Sequence, residues 1–457
     1  MGASPAPHPP VKHARRAALI NRDFARLWSG QVVTDLGSVV FNTALIVWIA
    51  AVLARGQSWA PLAVSGLLLV QSLPMLLVRP LAGVFVDRWD ARSTMLWTDA
   101  LRAALVALLL VPVAFALGPV RQLVAVYLVV LLVSACGQFF NPALMALIND
   151  LVPEEDLPRA SGLSETTWST ASVVGPPLAA PLVLGLGIEW LLILNAGSFV
   201  VSYLTLRAIR PPHLADRDDN VLARTAAGLH ASTTGDRRDM GIPTQVLGEL
   251  RDGLRFVAAN GTVRTVTLAV SIALLGAGML HALDFFFVTQ SLRASPALYG
   301  LVGLAFGGGS VAGALAAGRI IPRLGIARTF VYALFGVGLA VVLLSRQTSL
   351  IPALVVWAGL GVVNAATNVA LTPLLLGATP RELIGRMNAL FFTAISAASL
   401  LSSAAAGWLA SDVLRGFSAT LLGMRFGLVD TLLTLTGLLI CAGGLYAAVG
   451  LARELST

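Results

Sequence analysis

Asp35, Arg79, Asp99 and Arg102 are charged side chains set within long apolar runs of a 457-residue chain. Two acids and two bases in such surroundings can neutralise one another, and a carboxyl group among them can take up and release a proton. Asp99 and Arg102 stand at i and i+3, a spacing at which helical neighbours pair. Asp35 is the best single candidate for protonation, because loss of water favours the neutral form of a carboxyl group. An arginine partner opposes that effect, so Asp35 would titrate usefully only if its pairing opened during a working cycle. Arg79, at similar depth, is the suggested partner. A structural reading carries equal weight: Arg79 and Arg102 reach toward the membrane interface and the acids anchor them. His281 and Asp284, one turn apart, read as a pH-sensitive outer gate or as a hydrogen-bonded pair at the water boundary. Gln31, Gln71, Gln138, Asn364 and Asn368 are neutral polar groups that could line a cavity or bond between helices.

The elements that must position these groups are membrane helices. Apolar residues make up 57% of the chain and charged residues 12%, where a soluble domain carries about 25% charged residues. Mean hydropathy is +0.83, so the net charge of +8 does not mark a soluble nucleic-acid binder. Twelve apolar runs are each long enough to cross ~30 Å of hydrocarbon, which predicts an all-α integral membrane protein. They divide the chain into a tail at 1–26, six spans at 27–209, a polar linker at 210–262, six spans at 263–450 and a tail at 451–457. Within the linker, Leu247, Leu250, Leu254 and Val257 recur at helical spacing, which predicts an amphipathic helix near 246–259. With both termini in the cytoplasm, sixteen basic residues fall in the tails, short connections and span ends of that side and six outside. That bias sets the expected topology. The stretch from Pro5 to Arg16 lacks a short apolar core and a cleavage site, so the first apolar run is expected to remain as a span.

Enzymatic chemistry finds little support. No Gly-x-x-x-x-Gly-Lys-Ser/Thr run could cradle a nucleotide phosphate, and no His/Cys/carboxylate set has metal-ligand spacing. Cys136 and Cys441 lie in apolar runs and read as small hydrophobes. Gly308-Gly309-Ser310 falls short of a nucleophile elbow and suits close helix packing instead. The reading therefore includes no cofactor, no metal and no catalytic residue.

Two stretches repeat without a gap at a shift of 227 residues: Asn141-Pro142-Ala143-Leu144 against Asn368-Val369-Ala370-Leu371, then Pro153/Pro380, Arg159/Arg386 and Leu163/Leu390. A fainter echo relates Gly83, Arg88 and Arg92 to Gly318, Arg323 and Arg328, at a shift of 235 to 236. Six spans repeated in one orientation imply two similar bundles about an axis along the membrane normal. Such halves can rock to expose a central site to each side in turn.

Several motifs resemble one family. Gly83-Val-Phe-Val-Asp87-Arg88-Trp-Asp-Ala-Arg92 resembles the signature loop of the major facilitator superfamily. The start, Asn21-Arg22-Asp23-Phe24 with Leu27-Trp28-Ser-Gly30-Gln31 and Leu36-Gly37, resembles its branch of macrolide-efflux and enterobactin-export proteins. Asp99-x-x-Arg102 and Gly253-Leu254-Arg255-Phe256-Val257 add to the likeness. Gly175-Pro176-Pro177-Leu178-Ala179-Ala180 resembles an antiporter motif of span five, with alanines in place of its last two glycines. Asp90 and Ala91 depart from the family loop, and span four lacks the arginine of many drug/proton antiporters.

The resemblance implies two pseudo-symmetric six-helix bundles in a bacterial inner membrane. It assigns Gly83, Asp87, Arg88 and Arg92 to a conformational latch, and it implies export. Together with the buried charges, it leads to an expected monomer that exchanges protons for a small amphipathic compound such as a drug, natural product or siderophore. An importer or facilitator of the same fold, or a non-transporting receptor or scaffold, is the alternative.

Overall fold

The computed structural model describes residues 20–78, 82, 89–115, 117–209, 255–380, 383–413, 417–421 and 424–456. Among the described residues, twelve helices are long and apolar enough to cross a membrane. In chain order they are α1 Arg22–Leu53, α2 Ala60–Leu77, α3 Ala91–Ala114, α4 Pro119–Leu151, α5 Glu154–Leu186 and α6 Ile188–Arg207. After the linker come α7 Gly261–Ser291, α8 Pro296–Leu324, α9 Ile326–Leu344, α10 Leu350–Gly377, α11 Leu390–Val413 and α12 Leu428–Ala452. An even number of crossings puts residues 20, 209, 255 and 452 on one side, here the linker side; the opposite is the far side.

Local chemistry sets where these helices begin and end. Asn21 caps α1, its Oδ1 accepting from Phe24 N at 2.7 Å, while its Nδ2 donates to Leu151 O at the end of α4, also at 2.7 Å. Asn260 repeats both bonds in the second half: Oδ1 accepts from Val263 N at 3.0 Å, and Nδ2 donates to Ala378 O beyond α10 at 2.9 Å. Each asparagine thus satisfies an orphan amide of one helix and a terminal carbonyl of another. Gly187 and Gly325, at φ 91° and 82°, turn α5 into α6 and α8 into α9 within a single residue. Only glycine adopts that backbone without strain.

Helix pairing gives the fold its symmetry. In the first half α1 packs on α5 and α6, α3 on α4 and α6, and α2 on α4. In the second half α7 packs on α11 and α12, α9 on α10 and α12, and α8 on α10. Adding six to each helix number of the first set produces the second. The two broad contacts between halves, α2 with α11 and α5 with α8, exchange under the same rule. The chain is therefore two pseudo-symmetric six-helix bundles.

A feature absent from the sequence reading is a hairpin between α11 and α12. Strand β1 Ser418–Leu421 runs antiparallel to β2 Met424–Gly427, with Ser418 opposite Gly427. Four residues per strand offer too little alternation to stand out beside long apolar runs. Helix α1 also starts five residues before the expected boundary at 27, because Asn21 supplies its cap. Of the linker helix, residues 255–259 are described and helical, with Phe256 and Val257 packed against the core; its remainder lies outside the described residues.

Candidate functional site

An ionic cluster lies inside the first bundle. On α3, Asp99 is wholly buried and Arg102 nearly so, with Arg102 Nη1 3.6 Å from Asp99 Oδ1. The guanidinium sits between two rings, its Cζ 4.6 Å from the Phe140 centroid on α4 and 5.5 Å from Phe199 on α6. Cation–π attraction offsets part of the lost hydration. A Cβ on Gly137 would stand 3.3 Å from Arg102 Nη2, so the glycine of α4 gives the guanidinium room. Asp35, half-buried on α1, is within electrostatic range of Arg102. One arginine thus serves two acids on different helices.

The cluster is incompletely satisfied. Neither Asp99 oxygen has a hydrogen-bond partner within standard geometry, nor do Arg102 Nε and Ser202 Oγ. Ser202 on α6 lies near enough to Asp99 to influence it without meeting that geometry. Buried charges with open valences are costly, and structural stability alone would favour apolar replacements. Intramembrane groups of this kind generally mark ion pathways or relays.

Other expected site residues separate into distinct places. Arg79, Gly83, Asp87 and Arg88 lie outside the described residues. Arg92 donates from Nε to Leu206 O at 3.1 Å and from Nη2 to Arg207 O at 2.9 Å. It pins the start of α3 to the last carbonyls of α6 within its own half.

In the span-five motif, Gly175 abuts Val39 of α1, and Ala179 and Ala180 are fully buried. Pro176 meets Gly300 and Gly303 of α8. The motif therefore joins α1, α5 and α8 where the halves touch. On the α2–α11 side of the same interface, Leu62 N donates to Ser411 Oγ at 3.2 Å and Gly407 lies against Ser65. All these contacts gather toward the far side.

His281 and Asp284 are not bonded to each other as one alternative supposed. Asp284 Oδ1 accepts from Tyr299 Oη at 2.9 Å, a partner from α8 that spacing within one helix could not reveal. His281, Asp284 and Tyr299 line a 150 Å³ cavity with Thr43 and Pro176 from the first half and Trp357 from the second. This small chamber lies between the halves, beneath the far-side contacts.

The neutral polar residues also divide. Gln71 Nε2 donates to Asn42 Oδ1 at 3.4 Å, and Gln138 Nε2 to Ser134 O of its own helix at 3.2 Å. Gln31 Nε2 is buried without a partner. Asn364 and Asn368 line a cavity of about 580 Å³ in the second half, joined by Asn388 of the helix that continues into α11. Phe140, Phe199, Tyr299 and Asn388 were not foreseen; aromatic and amide residues inside apolar runs carry no spacing signal of their own. Among the described residues, no three of His, Cys, Asp and Glu gather closely enough to hold a metal ion.

This architecture coincides with comparison to known proteins. The model of the Major Facilitator Superfamily matches residues 27–289, more than half of the chain. The chain belongs to that superfamily, a family of membrane transporters rather than enzymes. It is 25% identical over 311 residues to YkuC of Bacillus subtilis, an uncharacterized MFS-type transporter, covering 66% of each chain. Macrolide efflux protein A of Streptococcus pyogenes is 28% identical over 211 residues, 45% of this chain and 50% of that one. The matched stretch thus spans about half to two thirds of these relatives' length. A bacterial homologue of the iron transporter ferroportin, solved in an inward-facing state, superposes with a TM-score of 0.70. That likeness covers 94% of this chain and 98% of the other at 14% identity, and it shows the fold alone.

Proposed function

We propose that this protein exports a small amphipathic organic compound across a bacterial inner membrane by alternating access, in exchange for protons. The observation that carries the reading is the buried Asp35–Asp99–Arg102 cluster within one half of a duplicated bundle. A fixed structural pair would need no second acid; a shared arginine lets one acid be released while the other keeps the charge balanced. Asp99, wholly buried, is the constant partner of Arg102. Asp35, half-buried on the helix that also meets Gly175, is the group that exchanges a proton. Movement of α1 against α5 would then connect its protonation to opening of the far-side interface.

The linker side is taken as cytoplasmic from the distribution of arginines. The far-side contacts between halves then correspond to a state closed to the outside. Outward direction draws support from likeness to macrolide efflux protein A, and the interfacial position of the span-five motif is consistent with it.

Accumulation and susceptibility profiling tests this function directly. Cells expressing the protein should retain less of at least one compound from a panel of macrolides, peptide antibiotics and catechol siderophores. A proton uncoupler should abolish the difference. Accumulation unaffected by the protein across the panel, or reduced equally with and without uncoupler, contradicts proton-driven export.

A further inference from the structure

The two halves can be registered residue by residue. Asn21 and Asn260, with their matching bonds, set α1 against α7 at a shift of 239 residues. The Asn141/Asn368 repeat sets α4 against α10 at 227. For α3 and α9, the Arg88/Arg323 spacing gives 235 and Arg92/Arg328 gives 236; the matched burial of Thr94/Thr329, Met95/Phe330, Thr98/Ala333 and Asp99/Leu334 selects 235. Gly30 lies against Ser202, and its mate Ala269 lies against Gly443, which places α6 and α12 at 241.

In this register Asp35 corresponds to Leu274, Asp99 to Leu334 and Arg102 to Val337. Gly137 corresponds to Asn364, Phe140 to Thr367 and Phe199 to Ile440. All six mates line the 580 Å³ cavity. The place that ionic and aromatic side chains fill in the first half is therefore open in the second. Valine vacates the space of Arg102, threonine that of Phe140 and isoleucine part of that of Phe199; the leucines, larger than the acids they match, replace charge by apolar surface, and asparagine introduces an amide where Gly137 has none.

We infer that this cavity is a binding pocket for an uncharged, amphipathic molecule carrying hydrogen-bonding groups. Its volume falls within the ~300–1,000 Å³ typical of small-molecule sites. Among the described residues its lining contains no ionisable side chain, so a charged ligand would meet no counter-charge from them. The amides of Asn364, Asn368 and Asn388 have no hydrogen-bond partner among the described residues, leaving donors and acceptors for a guest. Phe391 and Phe392 supply aromatic surface beside them. As a substrate pocket it rests on the transport reading, and it assigns the two tasks to different halves: charge exchange to the first, ligand selection to the second.

Thiol protection tests the pocket without any transport measurement. Asn388→Cys, with Cys136 and Cys441 replaced by serine, is placed in nanodiscs and labelled with N-ethylmaleimide. N-phenyl-1-naphthylamine serves as the neutral probe, 8-anilinonaphthalene-1-sulfonate as the anionic one and tetraphenylphosphonium as the cationic one. At about ten times its Kd, the neutral probe should slow labelling roughly tenfold, while the two ions leave the rate unchanged. Thr367→Phe, which restores the ring of Phe140 in the mate position, should remove that protection. Asn364→Leu, which keeps the branched shape and removes the amide, should weaken it and guards against misfolding of the bulkier variant. Equal protection by all three probes, no protection by any, or protection unaltered in monodisperse Asn364→Leu protein overturns the inference. Protection without proton-driven export in cells would overturn the transport reading and leave the pocket standing; export without protection would do the reverse.

Discussion

Asp35→Asn is expected to yield a folded, membrane-inserted protein whose export is driven far less by a pH gradient. The substitution keeps the size of the side chain and removes its ability to exchange a proton. Asp99 still neutralises Arg102 at 3.6 Å, so the packed interior of the first bundle should survive. The loss should be about 5- to 150-fold in gradient-driven flux, the range of free energies by which two sites commonly couple. Flux measured in inverted vesicles, with matched amounts of correctly inserted protein, provides the comparison. Wild-type coupling in this variant would remove Asp35 from the mechanism and return the cluster to a purely structural role.

Arg102→Met should have the largest effect on stability. It retains length and apolar contact with Phe140 and Phe199 but leaves wholly buried Asp99 without a counter-charge. Breaking a buried ion pair from one side costs about 3–5 kcal/mol. The cost should appear as a marked fall in melting temperature of the purified protein. Adding Asp99→Asn should recover much of the loss, because no uncompensated pair remains, yet the double variant should stay uncoupled: Asp35 would lack its arginine. Stability rescued together with coupling would mean that the pair is not part of the proton pathway. A single Arg102→Met variant as stable as the parent would show that the guanidinium is not held in the buried site described here.

Much of this organisation was legible in the residues, for identifiable physical reasons. Bilayer thickness demands long apolar helices, so the twelve spans stood out from composition alone. The repeat around Asn141 and Asn368 foretold the pairing symmetry, since duplicated segments bury equivalent faces. The Asp99–Arg102 pair followed from helical spacing. Contacts that depend on three-dimensional approach were hidden. Arg102 finds Phe140 and Phe199 on two other helices, and Asp284 finds Tyr299 rather than His281. Asn260 resembled an ordinary linker residue until its bonds matched those of Asn21. The second-half cavity was hinted at by Asn364 and Asn368, but its relation to the ionic cluster needs the register of all four helices.

The interface between halves has its own consequence. Ser65 on α2 and Gly407 on α11 touch near the far side: an ideal Cβ on Gly407 would stand 2.6 Å from Ser65 Cβ. A disulfide requires about 3.8 Å between Cβ atoms, a separation the two helices can reach by moving apart roughly 1 Å. Ser65→Cys with Gly407→Cys, in a background where Cys136 and Cys441 are serine, would therefore tie the far-side ends of the halves together. Flux of the exported compound in proteoliposomes, measured before oxidation, after it and again after reduction, is the most direct test of alternation between sides. Oxidation should stop flux and reduction should restore it; undiminished flux through the fully cross-linked protein would show that the halves need not part there.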